Sequence, residues 1–317
     1  MNKMKQVFES AAAVWRQNDP KASVNANIGG KALTVCIRLR AVGDSWDGDI
    51  ISCQGGGRTA VRIYGGMVGT QNSLIAELAT DAREKPLQLS IPAKSAAPRD
   101  WHDVVIRYYG YKLELFIDGV LVDEEWPMGS IPPAEGQLLV GSRDDAEAGV
   151  AGFHGSIRHV AIWNRSLDDA EIAGLVDGFG APAIREDRIL GPQTSLSQYW
   201  RPRGHNVHVG DCMPFFHNGR FHLYYLVDRR HHHSKWDMGA HQWAHASTSD
   251  LIHWEHHPLA VGITEEMEGS ICTGSVMFHE ETFYAFYAIR MADGSAAQLC
   301  AATSQDGIHF RKNPPLA

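Results

Sequence analysis

The sequence predicts an all-β protein in which a two-layer sheet sandwich is followed by repeated four-stranded units, and three observations support this prediction. Between residues 31 and 158, short apolar runs with period-2 alternation are separated by Gly, Pro and Asp. From residue 214 onward, one pattern of short strands occurs twice. The first clear helix signal comes only at residues 164–176, after the strand-rich region.

Composition and charge limit the classes of function. The chain has 317 residues, 44% of them hydrophobic, which is enough for roughly two domains of ~150 residues. A net charge of -8 provides no general basic field for nucleic acid, and no apolar run is long enough to span a bilayer. The five cysteines are odd in number and scattered, which favours reduced thiols. The amino terminus lacks the apolar core of a signal peptide, so we expect a cytoplasmic protein that binds neither nucleic acid nor membrane; the sequence leaves its oligomeric state open.

The predicted sandwich strands follow one another with short breaks. They are "ALTVCIRLR", "AVRIYGG", "DVVIRYYG", "KLELFIDGVLVDEE" and "QLLVGSRDD". Their alternation of apolar and polar residues is typical of antiparallel sheets with one buried face. Turns are predicted at Gly110 and at Asp118-Gly119, where an Asp-Gly pair suits a tight hairpin.

A helix and a linker are predicted next. In "NRSLDDAEIAGLV", Asn164 and Ser166 are candidate caps, acidic residues follow in the first turn, and the apolar residues are spaced to face inward. The following "GAPAIREDRILGPQ" has two prolines, mixed charge and no clean period. We therefore predict a first domain at 1–182, a linker at 183–192 and a second domain at 193–317.

The first domain resembles a known family of sandwiches. "WHDVVIRYYGYKLELFIDGVLV" followed by "GFHGSIRHVAIWNRSLDDAEIAGL" is similar to the laminin G-like, concanavalin-type jelly roll. Such domains often accompany glycosidases, and the resemblance leaves open a packing module or a sugar-binding module. Asp144 and Asp145 supply only part of the oxygen shell that calcium requires, so no metal is predicted here.

The second domain is predicted to consist of β-propeller blades. "PFFHNGRFHLYYLV" is echoed by "VMFHEETFYAFYAI" 62 residues later, and each is followed by a third strand and a closing segment, "TSDLIHWEHHPLA" or "SQDGIHFRKNPPLA". Four short strands in ~40 to 50 residues are typical of one propeller blade. Asp250 and Trp254 recur as Asp306 and Phe310, so we assign these positions to the scaffold of the blade. Residues 193–317 suffice for about two blades, and we expect the others to lie outside this sequence.

A second resemblance gives the expected chemistry. "VGDCMPFFHNGRFHLYYL", "QWAHA" and "STSDLIHWE" resemble the first blade of the five-bladed propeller glycosidases of families 32 and 43, closest to the β-fructosidase pattern. Asp211 falls on the aspartate of that pattern, which implies a catalytic carboxylate acting as nucleophile or base. The residue-based alternative is an aspartate that caps the turn at the strand entrance. Leu226 replaces a glutamine of the fructosidase pattern, so a fructose substrate is not implied.

Six further residues are predicted to bind sugar. Two tryptophans offer ring faces for stacking, the hydroxyls of "CTGS" correspond to a funnel-facing motif of the family, and two histidines fall beside the family motifs. The alternatives are core packing for the tryptophans and a tight strand entrance for "CTGS". The candidate substrate-binding residues are His208, Trp236, His241, Trp243, Thr273 and Ser275.

The sequence predicts no metal and no cofactor. Seventeen histidines are present, but none has the spacing of a recognised zinc motif. The resemblance places the acid and the stabilising carboxylate in later blades, so we expect one catalytic carboxylate and no turnover from this sequence alone. The predicted function is hydrolysis of an oligosaccharide or polysaccharide by the complete propeller; the alternative is a non-catalytic carbohydrate-binding protein.

Overall fold

The computed structural model describes residues 7, 10–16, 23–55, 58–141, 152–176, 181–193, 201–230 and 239–313. The chain forms two compact units, Met1–Pro192 and Gln193–Ala317. Each unit is built from antiparallel sheets, which confirms the predicted all-β class.

The first unit contains two six-stranded sheets. Its strands are β1 (Ala13–Arg16), β2 (Ser23–Gly30), β3 (Leu33–Ala41), β4 (Gly48–Gly55), β5 (Arg58–Val68), β6 (Gln71–Leu78), β7 (Leu87–Pro92), β8 (His102–Tyr108), β9 (Leu113–Ile117), β10 (Val120–Glu125), β11 (Ile131–Val140) and β12 (Gly155–Trp163). The first sheet has the order β1-β12-β3-β8-β9-β10, and the second has the order β2-β11-β4-β5-β6-β7. Strands distant in sequence pair in both sheets, as expected for the predicted jelly roll.

The core of the first unit follows from the alternation of side chains along its strands. On β3, Val35 and Ile37 are fully buried in the main core cluster. Cys36 lies between them in sequence and belongs to a different cluster, together with Trp163 and Leu175. Successive strand residues point to opposite faces, so the first sheet buries apolar residues on both of its faces.

The predicted turn at Asp118-Gly119 is confirmed. Ile117 pairs directly with Val120, which leaves a two-residue loop between β9 and β10. Asp118 has φ 52° and Gly119 has φ 80°, the positive values that a tight hairpin of this kind needs. A Cβ on Gly119 would also lie 2.7 Å from a methyl carbon of Val176, so glycine is required here by contact as well as by conformation.

The predicted helix is α1 (Asp169–Leu175), but its cap differs from the prediction. The capping residue is Asp168, whose carboxylate accepts from the Glu171 N–H at 2.8 Å, while the Glu171 carboxylate accepts from the Asp168 N–H at 2.9 Å. The predicted caps Asn164 and Ser166 precede this point. The Leu167 N–H donates to the Thr34 hydroxyl at 3.0 Å, and this bond to β3 holds the chain outside the helix until residue 168.

Most of the segment predicted as a linker, residues 183–192, is helical in the structure. It lies in α2 (Pro182–Leu190). Ile189 is buried in the main core of the first unit, and the Arg185 guanidinium donates to the Asp118 carbonyl at 2.9 Å. The mixed charges that suggested a linker are therefore used for contacts to the hairpin. Among the described residues, neither helix is long and apolar enough to cross a membrane.

The second unit contains two sheets of four strands each. Its strands are β13 (Val207–His217), β14 (Arg220–Arg229), β15 (Gln242–Thr248), β16 (Glu255–Val261), β17 (Glu268–His279), β18 (Thr282–Met291), β19 (Gln298–Ser304) and β20 (Arg311–Lys312). Each sheet is a simple meander, β13-β14-β15-β16 and β17-β18-β19-β20. Both have the strand order of a propeller blade, as the internal repeat predicted.

The closing segments of the two blades share one hydrogen-bonding arrangement. Asp250 accepts bonds from the N–H groups two and three residues later and from the His253 ring at 2.7 Å. Asp306 does the same, with the His309 ring at 2.7 Å. For Asp250 these bonds, that of His253 first, hold the pKa of the carboxyl well below its usual range. The predicted scaffold role of both aspartates is therefore supported.

Candidate active site

The candidate site lies on the first strands of the two blades, which contact each other. Each strand has a bulge with one extra residue relative to its partner, between Val209 and Cys212 on β13 and between Ile271 and Gly274 on β17. β17 has a second register shift nearer its start, between Glu268 and Ser270. A β-bulge of this kind turns side chains out of the regular alternation. Both bulges occupy the same place in the repeat, so the structure places equivalent residues of the two blades next to each other.

Asp211 and Thr273 are these equivalent residues. They are separated by 62 positions, the shift that relates the two hairpin turns, and the Thr273 hydroxyl donates to Asp211 Oδ2 at 2.6 Å. Both side chains are exposed to solvent. A short hydrogen bond to a charged oxygen is stronger than a neutral one and fixes the orientation of the carboxylate. The structure thus brings together the predicted catalytic acid and one predicted binding residue.

Gly274 lets β17 approach its sheet neighbour β18 next to the bulge, and its N–H also reaches β13. A Cβ at this position would lie 1.9 Å from the Phe286 carbonyl oxygen, and the Gly274 N–H donates to Met213 Sδ at 3.2 Å. Ser275, another predicted binding residue, is exposed and follows Thr273 by two positions along the strand. Thr273 and Ser275 are both exposed while Gly274 between them is half-buried, which places Ser275 on the solvent side of β17 together with Thr273.

The two predicted histidines lie near a common acid. His208 of β13 pairs with Asp228 of β14, and His241 Nε2 lies 3.2 Å from Asp228 Oδ2. The Asp228 side chain is buried, whereas His208 is exposed. Asp228 was not among the residues predicted from the sequence, although an acid at the end of the apolar run "YYLVD" was a usable signal. The exposed His208 imidazole can therefore bind hydroxyls, whereas the buried Asp228 carboxylate faces His241.

Trp243 does not have the predicted role. Its side chain is fully buried, its indole N–H donates to the Cys272 carbonyl at 2.9 Å, and its ring lies against Tyr287 with centroids 5.8 Å apart. A ring with no accessible face cannot stack on a sugar, so the core-packing alternative describes Trp243. It supports the backbone next to Thr273 instead. Trp236, like Asp144 and Asp145, lies outside the described residues.

The second unit also has a cleft of about 470 Å³ between its sheets, lined by His217, Arg220, His222, Ser247, His257 and Asp306 among others. His222 Nδ1 lies 3.0 Å from His245 Nε2, and the two rings are nearly parallel. Burial, followed by neighbouring positive charges, lowers the pKa of His222 to about 4 and that of His245 to about 2. Both rings are therefore neutral at neutral pH and contribute to packing between strands.

Comparison with known proteins finds a family similarity for each unit. Residues 17–173 match the Concanavalin A-like lectin/glucanases superfamily, and residues 212–317 match the Glycosyl hydrolases family 32 N-terminal domain. These matches agree with both resemblances stated from the sequence.

Individual relatives cover part of the chain. Sucrose-6-phosphate hydrolase from Escherichia coli is 28% identical over 41% of this chain and 30% of its own length. The protein of the same name from Salmonella typhimurium is 31% identical over 43% of this chain and 30% of its own length. The chain thus spans about a third of the length of these relatives.

Among solved structures, the β-fructofuranosidase from Schwanniomyces occidentalis is similar at 21% identity, covering 38% of this chain and 25% of its own, with a TM-score of 0.30. The two family matches come from the amino-acid sequence and do not depend on this structural similarity. The similarity to the concanavalin A-like superfamily covers residues 17–173, and the similarity to the N-terminal domain of glycosyl hydrolase family 32 covers residues 212–317.

Proposed function

We propose that this chain belongs to a glycoside hydrolase that acts on oligosaccharides, with Asp211 as a catalytic carboxylate. The observation that carries the proposal is the contact between Asp211 and Thr273 in equivalent bulges of adjacent blades. It gives an exposed, oriented carboxylate at the start of a first strand. The family match of residues 212–317 and the hydrolase relatives support the same reaction class.

The geometry suits one half of the reaction. Hydrolysis of a glycosidic bond uses two carboxyl groups, one as nucleophile or base and one as acid. The Thr273 hydroxyl holds Oδ2 of Asp211, so Oδ1 is the oxygen directed at a sugar carbon or at an attacking water. Ser275, His208 and His241 would bind sugar hydroxyls around it. A second carboxyl group must act as the acid, and the described site residues do not assign it.

Leu226 argues against restricting the proposed substrate to fructosides. Leu226 stands where the fructosidase pattern has glutamine, and it is buried on β14. An aliphatic side chain cannot bond a sugar hydroxyl. We therefore propose an oligosaccharide substrate rather than a fructoside in particular, and a panel of aryl glycosides and oligosaccharides is the appropriate first screen.

The proposal can be tested by substituting Asp211 and Thr273 and measuring the rate of hydrolysis. In a full-length protein with all propeller blades present, we expect Asp211→Asn to lower hydrolysis at least about 100-fold, because the amide can act neither as nucleophile nor as base. Thr273→Val removes a bond worth about 1.5 to 3 kcal/mol and should cost roughly 10- to 100-fold, whereas Thr273→Ser should retain most activity. Asp293→Asn, an exposed aspartate of a loop in the same unit, is the matched control and should be unaffected.

The outcomes separate two candidate functions. Full activity of Asp211→Asn would refute the proposed catalytic role. Saturable sugar binding without hydrolysis of any substrate would favour the second candidate, a carbohydrate-binding protein.

The first unit provides an observation in favour of this second candidate: on β5, Arg62 stacks on Tyr64 at 3.8 Å, and the Tyr64 hydroxyl donates to Glu77 at 2.9 Å. The tyrosine hydroxyl and the carboxylate can bond sugar hydroxyls, while Arg62 covers one face of the Tyr64 ring.

We also propose a cytoplasmic location. All five cysteines are unpaired in the structure, two of them buried in the first unit. Unpaired thiols are common in reducing compartments. Fractionation of the native organism's cells with an antibody to the chain would test this, and recovery outside the cytoplasm would contradict it.

A further inference from the structure

Three potential metal ligands meet on the first sheet of the first unit. Cys36 Sγ, a carboxylate oxygen of Asp103 and a ring nitrogen of His159 all lie within 4.8 Å of one another. They come from β3, β8 and β12, which are neighbours in the sheet. No sequence motif marks them, because 67 and 56 residues of chain separate them. Their proximity is a product of strand pairing alone.

The register explains how the three side chains converge. Arg38 of β3 pairs with Asp103 on one side and with His159 on the other. Cys36 precedes Arg38 by two residues and so shares its face of the sheet. The flanking residues Val104 and Val160 belong to the main core, which places Asp103 and His159 on that same opposite face.

Asp103 provides an independent indication of a ligand. Its side chain is fully buried, and the Arg38 guanidinium reaches only Oδ2, at 3.4 Å. Among the described residues, Oδ1 has no hydrogen-bond partner and almost no solvent contact. Burying a carboxylate oxygen without a partner is costly, and a cation bound to the Asp103 carboxylate would reduce that cost. Cys36 is equally buried, while His159 is only partly buried and gives access from the surface.

We propose that Cys36, Asp103 and His159 bind a zinc ion on this face of the sheet. Sulfur, nitrogen and oxygen donors together suit Zn²⁺, which takes four ligands in tetrahedral geometry. Zinc bonds of about 2.0 to 2.3 Å require ligand atoms about 3.6 Å apart, so the three groups need to close by about 1 Å. Water supplies the fourth ligand. On binding, the Cys36 thiol loses its proton to solvent, and the thiolate and the Asp103 carboxylate supply the two negative charges that face zinc. Arg38, whose guanidinium lies 3.4 Å from Asp103 Oδ2, remains a positive neighbour that the zinc must displace from the carboxylate.

The site is distinct from the glycosidase proposal and is tested independently of it. The intact chain is purified, treated with chelator, and titrated with Zn²⁺ and with Co²⁺. We expect one zinc per chain by elemental analysis, a thiolate-to-cobalt charge-transfer band in the near ultraviolet, and a higher melting temperature of the first unit with zinc. Cys36→Ala should abolish the cobalt band and weaken zinc binding at least about tenfold. His159→Gln should weaken it similarly.

A second cysteine variant distinguishes this site from zinc bound elsewhere on the chain. Cys53→Ala, which alters a buried cysteine of the second sheet, should retain the band and the stoichiometry. Zinc held only by other histidines, such as His231 to His233, would survive Cys36→Ala and produce no thiolate band. That result would overturn the proposal, as would a chelated chain that takes up no zinc. If Cys36→Ala fails to fold, the cobalt band and the zinc-dependent melting shift of the native chain decide the question.

Discussion

Asp118 is expected to be a main determinant of the stability of the first unit. Its fully buried carboxylate accepts the Asp103 N–H at 2.9 Å and lies 2.9 Å from His102 Nδ1. Arg188 of α2 forms an ion pair with the same carboxylate. One side chain at a hairpin turn thus joins two strands and a helix that are distant in sequence.

The structure sets the size of the effect. Asp118→Ala leaves the Asp103 N–H and the His102 ring without their acceptor, and at about 1 to 3 kcal/mol for each unsatisfied buried group the two cost about 2 to 6 kcal/mol together. The Arg188 side chain is 45% exposed, so water solvates it once its partner is removed. Alanine also tolerates φ 52° poorly, which adds about 1 kcal/mol. Asp118→Asn keeps one acceptor oxygen and adopts positive φ readily, so its cost should be about 1.5 to 3 kcal/mol.

Calorimetry of the intact chain can measure this difference. For a unit of this size, 1 kcal/mol shifts the melting temperature by about 2 to 4 °C, so Asp118→Ala should lower the transition of the first unit by roughly 10 °C and Asp118→Asn by less. Asp44→Asn, which removes an exposed partner of Arg99, is the control and should change stability by less than about 0.5 kcal/mol. The reasoning is refuted if Asp118→Ala melts within about 2 °C of the unmodified chain.

Three further predictions concern the second unit. The pKa values of His222 and His245, about 4 and about 2 in the folded chain against about 6.5 when unfolded, mean that the unfolded state binds protons first as the pH falls. Stability should therefore be lost below about pH 6.5, by about 2 to 4 kcal/mol between pH 7 and 5 in urea titrations, and His245→Phe should reduce that slope; an unchanged slope would contradict the assignment. Gly274→Ala should unfold or severely destabilise the unit in thermal melts, because its Cβ meets a backbone carbonyl at 1.9 Å, whereas Gly294→Ala, with open space around it, should cost only about 1 to 2 kcal/mol for its positive φ. Trp243→Phe should cost about 1 to 3 kcal/mol in urea titrations by leaving the Cys272 carbonyl without its donor, and a change under about 0.5 kcal/mol would show that this bond contributes little.

Several features of the fold were predictable because they depend on local sequence. The Asp118-Gly119 hairpin follows from the conformational preferences of two adjacent residues. The blade repeat was visible because each strand carries its own alternation, and the scaffold role of Asp250 and Asp306 follows from hydrogen bonds within four residues. In each case the physics acts over a short stretch of chain.

Local patterns also had limits. The charged residues of α2 suggested a linker because their partner, Asp118, lies more than 60 positions earlier in the chain. The N-cap of α1 was misplaced because the Thr34 hydroxyl of a distant strand binds Leu167. In both cases a contact with a residue distant in sequence decided between alternatives, helix or linker in one and the capping residue in the other, that local sequence does not distinguish.

The sequence by itself determined the all-β class, the order of sandwich and blades, and Asp211 as the candidate catalytic residue. Only the tertiary structure decided that Trp243 is buried, that Thr273 binds Asp211, and that Cys36, Asp103 and His159 lie together. The physical reason is that strand pairing and bulge position fix which side chains meet. Alternation predicts a strand and its two faces, but the neighbour of each residue depends on a register set across the whole sheet.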